Sequence, residues 1–232
     1  MKQSDAKYLI VLVVTIVLTF LAFGCSSLLV SWDTSSSLTT IQEEPHSYNI
    51  GDQGPSGGLV FYDKGNYQEE WRYLEAAPQG WAGALYDPKA QWGAYPFNLQ
   101  GKTLGNEIGS GLQNSRHIVN YNIHVEENRE TYEQLPEAER MFSESHDGSV
   151  AAKVALNATI NGFDDYFLPS QEELEIMRNT LYKNDVGSFQ ADMYWSSSMS
   201  NDRSGTAMNF WNGATIASYT NTSYYVRPIR KF

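Results

Sequence analysis

The sequence predicts an α+β fold, with helices in the middle of the chain and strands gathered toward its end. Three observations predict it. Short apolar runs of strand length, bounded by turn residues, lie at 59–62 and recur from Met193 to the C-terminus. A capped helix start follows Pro169, with apolar residues at helical spacing behind it. Between 79 and 111, glycines and aromatics follow one another with neither helical nor strand period, which reads as long irregular loop packed by its own side chains.

The N-terminus carries Lys2 and Lys7 and then an apolar run from Tyr8 to Phe23. That is the form of a secretory signal. The run is short of the roughly 20 apolar residues of a spanning helix, though Leu28, Leu29 and Val30 could extend it into an uncleaved anchor. The sole cysteine, Cys25, follows Leu21, Ala22, Phe23 and Gly24. This arrangement resembles the lipobox of bacterial lipoproteins, in which the cysteine is acylated and becomes the mature N-terminus; Phe23 is bulkier than the residue usual there. The expected organisation is therefore a signal peptide at 1–24, a Ser/Thr-rich flexible tether at 25–47 and a domain at 48–232.

With one cysteine there is no intrachain disulfide, so stability rests on a hydrophobic core. The formal net charge of -11 repels phosphate backbones, and no Lys/Arg cluster offsets it. Nucleic acid is thereby excluded as a partner, and an anionic glycan lacks the basic patch it would need. The sequence sets no oligomeric state.

Along the domain, GDQGPSGG supplies turn residues before the strand LVFY at 59–62, and WRYLEAAP at 71–78 is a second strand closed by proline. Lys102 among Gly101, Gly105 and Gly109 fails the spacing of a phosphate loop. Residues 112–123 and 149–156 read as helices, separated by an acidic insert at 124–148 that Pro136 interrupts. Ser170 with Glu173 forms a capping box, and Leu174, Met177 and Leu181 mark the buried face behind it. Asp164 and Asp165 precede it in a turn. The tail alternates strand and turn: MYWSSS, the loop MSNDRSG, TAMNF, the turn WNG, ATIASY, the loop TNTS and YYVRPIRKF. Asn212 and Gly213 give a hairpin signal because both tolerate positive φ. Pro228 places the last strand at an edge or bulge.

In that order, GPSGGLVFYDKG, WRYLEAAP, QWGAYP, IGSGLQNSRHIV, NGFDDYFLPSQEELEIM, YWSSS and YVRPIR resemble the family named for the C-terminal domain of collagen-like bacterial adhesins, over roughly 48–232. The resemblance implies a C-type-lectin-like domain in its formylglycine-generating-enzyme-like form: a small twisted antiparallel sheet, two main helices and long irregular loops. It implies a protein displayed on the cell envelope, at the outer membrane or cell surface, and membrane attachment through the N-terminal lipid. Asp165-Tyr166-Phe167-Leu168-Pro169 stands where the family commonly has Asp-Trp-Phe-Leu-Pro, and the acidic insert has no place in the pattern.

No catalytic residue is expected. The cysteine-oxidising relatives of the fold use paired cysteines that this chain lacks, and Ser196 to Ser198 sit in no nucleophile elbow. No metal or other cofactor is expected either: His46, His117, His124 and His146 lack ligand spacing, and Trp211-Asn212-Gly213 lacks the carboxylate of the calcium motif of sugar-binding lectins. Asn201, Asp202, Arg203, Asn209, Trp211, Tyr219, Asn221 and Tyr224 fall on the loops and strands of the lectin-like ligand face, where aromatics beside Asn and Ser suit recognition of a glycan or a protein. The alternative for Trp211 and Tyr224 is burial in the core. Arg227 and Arg230 are expected to supply at least one structural ion pair. The functional expectation is an adhesin-like or receptor-like binding domain on an envelope lipoprotein, the alternative a structural envelope lipoprotein making protein contacts.

Overall fold

A computed structural model describes residues 46–94, 104–136 and 149–232, all within the compact unit His46–Phe232. Cys25, the apolar run before it, the tether up to Pro45, Lys102 and His146 lie outside the described residues.

Among the described residues, eight strands and four α-helices form an α+β arrangement. β1 (Leu59–Asp63) pairs antiparallel with β2 (Tyr73–Ala76), and β2 with β8 (Ile229–Lys231), forming a three-stranded sheet. The second sheet has the order β3-β7-β4-β5-β6, built from β3 (Lys89–Gln91), β4 (Met193–Asn201), β5 (Ser204–Asn209), β6 (Thr215–Tyr219) and β7 (Ser223–Tyr225). Its pairs are antiparallel except β4 with β7, which run parallel at Tyr194 and Tyr225. The helices are α1 (Gly111–Glu127), the single turn α2 (Arg129–Tyr132), α3 (Ala151–Leu156) and α4 (Gln171–Thr180).

Strand period two explains how this sheet serves two cores. Tyr194 and Trp195 are neighbours and both fully buried, yet they point to opposite faces. Trp195 and its cross-strand partner Ala207 join Ile118 of α1 and the alanines of α3 in one cluster. Tyr194 and its partner Met208 join Leu174, Met177 and Leu181, together with Phe61 and Leu74 of the smaller sheet, in the other. The helical spacing of Leu174, Met177 and Leu181 thus faces the second core as the sequence implies, and the capping box at Ser170 and Glu173 is formed on both sides.

Three features depart from the sequence reading. Lys89–Gln91, inside the stretch expected to be irregular, is a short strand on the free side of β7. YYVRPIRKF is two strands: Val226, Arg227 and Pro228 carry the chain from one sheet to the other, so Pro228 marks a sheet crossing. At Asn212-Gly213 only Gly213 has positive φ, at 78°, and the hairpin loop has four residues, closed by Asn209 N–H to the Ala214 carbonyl at 2.8 Å. The expected two-residue turn would need positive φ at both positions.

Two arginines fasten the last strands. Arg227 is fully buried and donates from Nε to both oxygens of Asp87 at 2.8 and 2.9 Å, while Nη1 donates to the carbonyls of Ala77 and Gly187. Asp87 also accepts from Trp81 Nε1 and from the Tyr194 hydroxyl, so one carboxylate ties the 78–88 loop to both sheets. Arg230 makes a bidentate pair with Asp165 at 2.6 and 2.8 Å and faces Glu75 at 3.8 Å. Glu75 lies beneath the GDQGPSGG loop, where its Oε1 accepts from Ser56 N–H; a Cβ at Gly54 would stand 1.9 Å from its other oxygen, which is why the loop needs glycine there. Burial pushes the Glu75 carboxyl up to about 7.

Candidate binding surface

The three serines of β4 are structural. Ser196, Ser197 and Ser198 are fully buried, and their hydroxyls donate to the carbonyls of Thr206, Pro169 and Gly105. Ser198 Oγ also accepts from Gln171 N–H at 2.9 Å, which helps seat the start of α4 on the sheet. Among the described residues, no group of three or more His, Cys, Asp or Glu is placed to hold a metal ion. No described helix is long and apolar enough to cross a membrane.

Antiparallel pairing divides the eight sequence-predicted surface residues between the two ends of the larger sheet. Asn201, Asp202 and Arg203 form the β4–β5 turn; the β6–β7 turn, with Tyr219 and Asn221, lies beside it, joined by Thr220 N–H to the Arg203 carbonyl at 3.2 Å. Asn209 and Trp211 occupy the β5–β6 turn at the opposite end of β5, about 17 Å away at about 3.3 Å per residue. One chain therefore does not bring MSNDRSG and WNG onto a single contiguous face.

The residues also differ in role. The Asn201 side chain accepts from Arg203 N–H and shapes its own turn. Asn209 Oδ1 accepts from Asn212 N–H, so that asparagine shapes the loop it opens. Tyr224 is half-buried, with its ring 4.7 Å from Trp195 and its hydroxyl bonded to Ser218, which makes it part of the core's edge. Asp202, Arg203 and Tyr219 are exposed, Tyr219 at 61%.

Trp211 stands apart. Among the described tryptophans it alone is exposed, at 73%, whereas Trp71, Trp92 and Trp195 are buried and Trp81 is half-buried. The alternative that Trp211 is buried in the core fails, because the four-residue loop leaves its side chain in solvent. The backbone beneath the indole is held from several sides. Gly213 N–H donates to the Asn209 carbonyl at 2.7 Å, and Ala214 N–H to Asn212 Oδ1 at 2.9 Å. From α4, Arg178 donates through Nε to the Phe210 carbonyl at 2.7 Å and through Nη2 to the Trp211 carbonyl at 3.3 Å. A Cβ at Gly213 would lie 2.9 Å from Arg178 Nη1, so glycine serves both the positive φ and the approach of the guanidinium. Arg178 carried no distinguishing signal in the sequence, since an arginine in the last turn of an amphipathic helix reads as a solvated side chain.

The chain segment that carries the indole is itself uncharged, while Arg178 and Asp192 bond the backbone of Phe210 and Trp211 from neighbouring elements. From Ser204 through Val226 the chain contains no Asp, Glu, Lys or Arg, although the whole protein carries -11. Exposed Ile216 and Tyr219 extend the same uncharged stretch along β6. The arrangement offers a large aromatic plane on a fixed support, ringed by amides and hydroxyls, which suits stacking and hydrogen bonding to an uncharged ligand.

The chain matches no protein-family model and no curated protein.

Proposed function

We propose that the protein is a cell-envelope lipoprotein, anchored through acylated Cys25, that displays a C-type-lectin-like ligand-binding domain similar to the C-terminal domain of collagen-like bacterial adhesins. The observation that carries the binding reading is Trp211: an indole 73% exposed on a loop whose backbone Arg178 and two asparagines hold in place. A side chain of that size left in water on a fixed support contributes most when a partner covers it, and aromatic anchors dominate the energetics of such contacts. The uncharged segment from Ser204 through Val226 that carries Trp211 favours a neutral glycan or an uncharged protein surface over an anionic ligand.

The test is to probe arrays of glycans and extracellular proteins with the full chain in detergent, alongside Trp211→Ala. A ligand bound by the parent chain and lost by the variant supports the reading; equal binding by both removes Trp211 from the site. The anchor is tested separately. Cys25→Ala is expected to leave an unprocessed precursor or to release the chain from the membrane fraction, and unchanged mass and fractionation would refute lipidation.

A further inference from the structure

The strand β6 ends the larger sheet, paired with β5 on one side only among the described residues. Its register against β5 is continuous from Ser204 with Tyr219 to Met208 with Thr215. Thr220 N–H bonds the Arg203 carbonyl and Asn209 N–H bonds the Ala214 carbonyl. Alternation then fixes which backbone groups face β5: those of Ala214, Ile216 and Ser218, with the N–H of Thr220, whose carbonyl instead accepts from Trp92 and Gly93 N–H. The N–H and C=O of Thr215 and Ala217 point away from the sheet, and both residues are exposed. Natural edges are blunted by proline, charge, bulges or covering elements. Thr215-Ile216-Ala217-Ser218-Tyr219 has no proline and no charge, and its pairing with β5 has no bulge.

We propose that this edge is where two copies of the chain meet, β6 against β6 in antiparallel register about a two-fold axis at Ile216, making one continuous ten-stranded sheet. In that register the outward groups of Thr215 and Ala217 bond those of Ala217 and Thr215 in the second copy. Ile216, 40% exposed in the single chain, packs against its own counterpart as a close non-hydrogen-bonded pair. The same face sets Ala214 over Ser218 of the second copy, so the Ile216 pair is flanked by small side chains. Charge selects a second copy at this edge rather than elsewhere. Two molecules of charge -11 repel over most of their surface, and the stretch from Ser204 through Val226 is free of charged residues.

The register has a consequence for the candidate surface. Trp211 lies beside the start of β6, and Tyr219 and Asn221 lie at its end. Antiparallel pairing brings Trp211 of one copy level with Tyr219 and Asn221 of the other, on both sides of the two-fold. The aromatic anchor and the turn residues that one chain holds at opposite ends of β5 thereby come together between two chains. This part rests on the binding reading of Trp211 and assigns that site a ligand large enough to span two chains. Two five-residue strands bury less than the roughly 1,200 Å² of a stable interface. The pairing therefore also rests on the proposed lipid anchor, which concentrates the chains on a membrane.

The test uses the full chain in the membranes of expressing cells, under mild oxidation. In the proposed register the two Ile216 Cα atoms lie about 4.5 Å apart, within the range a disulfide spans. Ile216→Cys is expected to give a disulfide-linked dimer at least tenfold above the parent chain, whose acylated Cys25 has no free thiol, and above Ala82→Cys on an exposed loop. Adding Ala217→Pro removes an outward donor without touching the pairing with β5, and is expected to abolish the dimer with little change in melting temperature. Should that variant unfold, Ala217→Lys, which sets like charges on either side of the two-fold, serves in its place. Co-expressed copies carrying Trp211→Cys and Asn221→Cys are expected to join through a short bis-maleimide. Cross-linking of Ile216→Cys no stronger than of Ala82→Cys, or unaffected by Ala217→Pro in a folded chain, overturns the proposal. Ligand binding by a chain that fails to cross-link overturns the pairing and leaves the binding reading standing.

Discussion

Replacing Arg178 by methionine should loosen the Trp211 loop from behind without touching the exposed surface. The guanidinium is 7% exposed and makes two hydrogen bonds to the carbonyls of Phe210 and Trp211, the first at 2.7 Å under a residue that is itself fully buried. A hydrogen bond to a charged group contributes about 1.5–3 kcal/mol when its loss leaves a buried partner unpaired. The Trp211 carbonyl sits at 3.3 Å beneath an exposed residue and regains water at small cost. Methionine keeps most of the stem's packing, so the expected loss is about 2–3 kcal/mol, read from urea unfolding at unchanged m-value. Hydrogen exchange in the 209–215 segment reports the loop itself. The Gly213 and Ala214 amides, bonded to the Asn209 carbonyl and to Asn212 Oδ1, should exchange faster in the variant by more than the α4 amides, which speed up only with the lower global stability. A stability change under about 0.5 kcal/mol with unaltered exchange at Gly213 and Ala214 would refute the role assigned to Arg178.

Two further predictions concern the core. Asp87→Asn and Arg227→Met each break an ion pair whose side chains are 1% exposed, and each should cost about 3–5 kcal/mol, measured by chemical denaturation; Asp87→Ala should cost more than Arg227→Met because it also strands Trp81 Nε1 and the Tyr194 hydroxyl. Glu75 titrates at about 7 in the folded chain, against about 4.3 for an unfolded glutamate. Between those values the unfolded state loses its proton first, so the stabilisation is complete below about pH 4.3 and is lost as pH rises toward 7. At about 1.4 kcal/mol per pKa unit the fall is about 4 kcal/mol. Glu173, also raised to about 7 by burial, adds a fall in the same direction. Unfolding curves from pH 4.5 to 8 should show the combined slope, and Glu75→Gln should remove its own share; a parent chain whose stability rises across this window contradicts the assignment.

Elements with a complete local signature were legible in the sequence. The α4 start is one, because Ser170, Glu173 and the apolar spacing behind them specify cap and face within a dozen residues. Strand β1 is another, an apolar run between turn residues. What the sequence hid depends on partners far along the chain. β3 is three residues long and exists because β7, more than a hundred residues later, offers it an edge. Asp87 reads as a loop aspartate until Arg227 arrives to bury it. The candidate surface residues were identified singly, but their division between the two ends of β5 follows from strand direction, which alternating side chains do not encode. The exposure of Trp211 was hidden for a related reason: a tryptophan flanked by Phe210 and Asn212 looks alike in a core strand and on a raised loop, and only the conformation of Gly213 separates the two.

The most direct test of the binding reading is Trp211→Ala, with thermal stability and ligand capture measured on one preparation. An indole 73% exposed has little packing to lose, so the melting temperature should stay within a few degrees, the change expected of about 0.5 kcal/mol at a surface position, while capture of the ligand found on the arrays falls at least tenfold. Early melting, of the size expected for a buried tryptophan at about 3–5 kcal/mol, or full capture by a variant that melts normally, would contradict it.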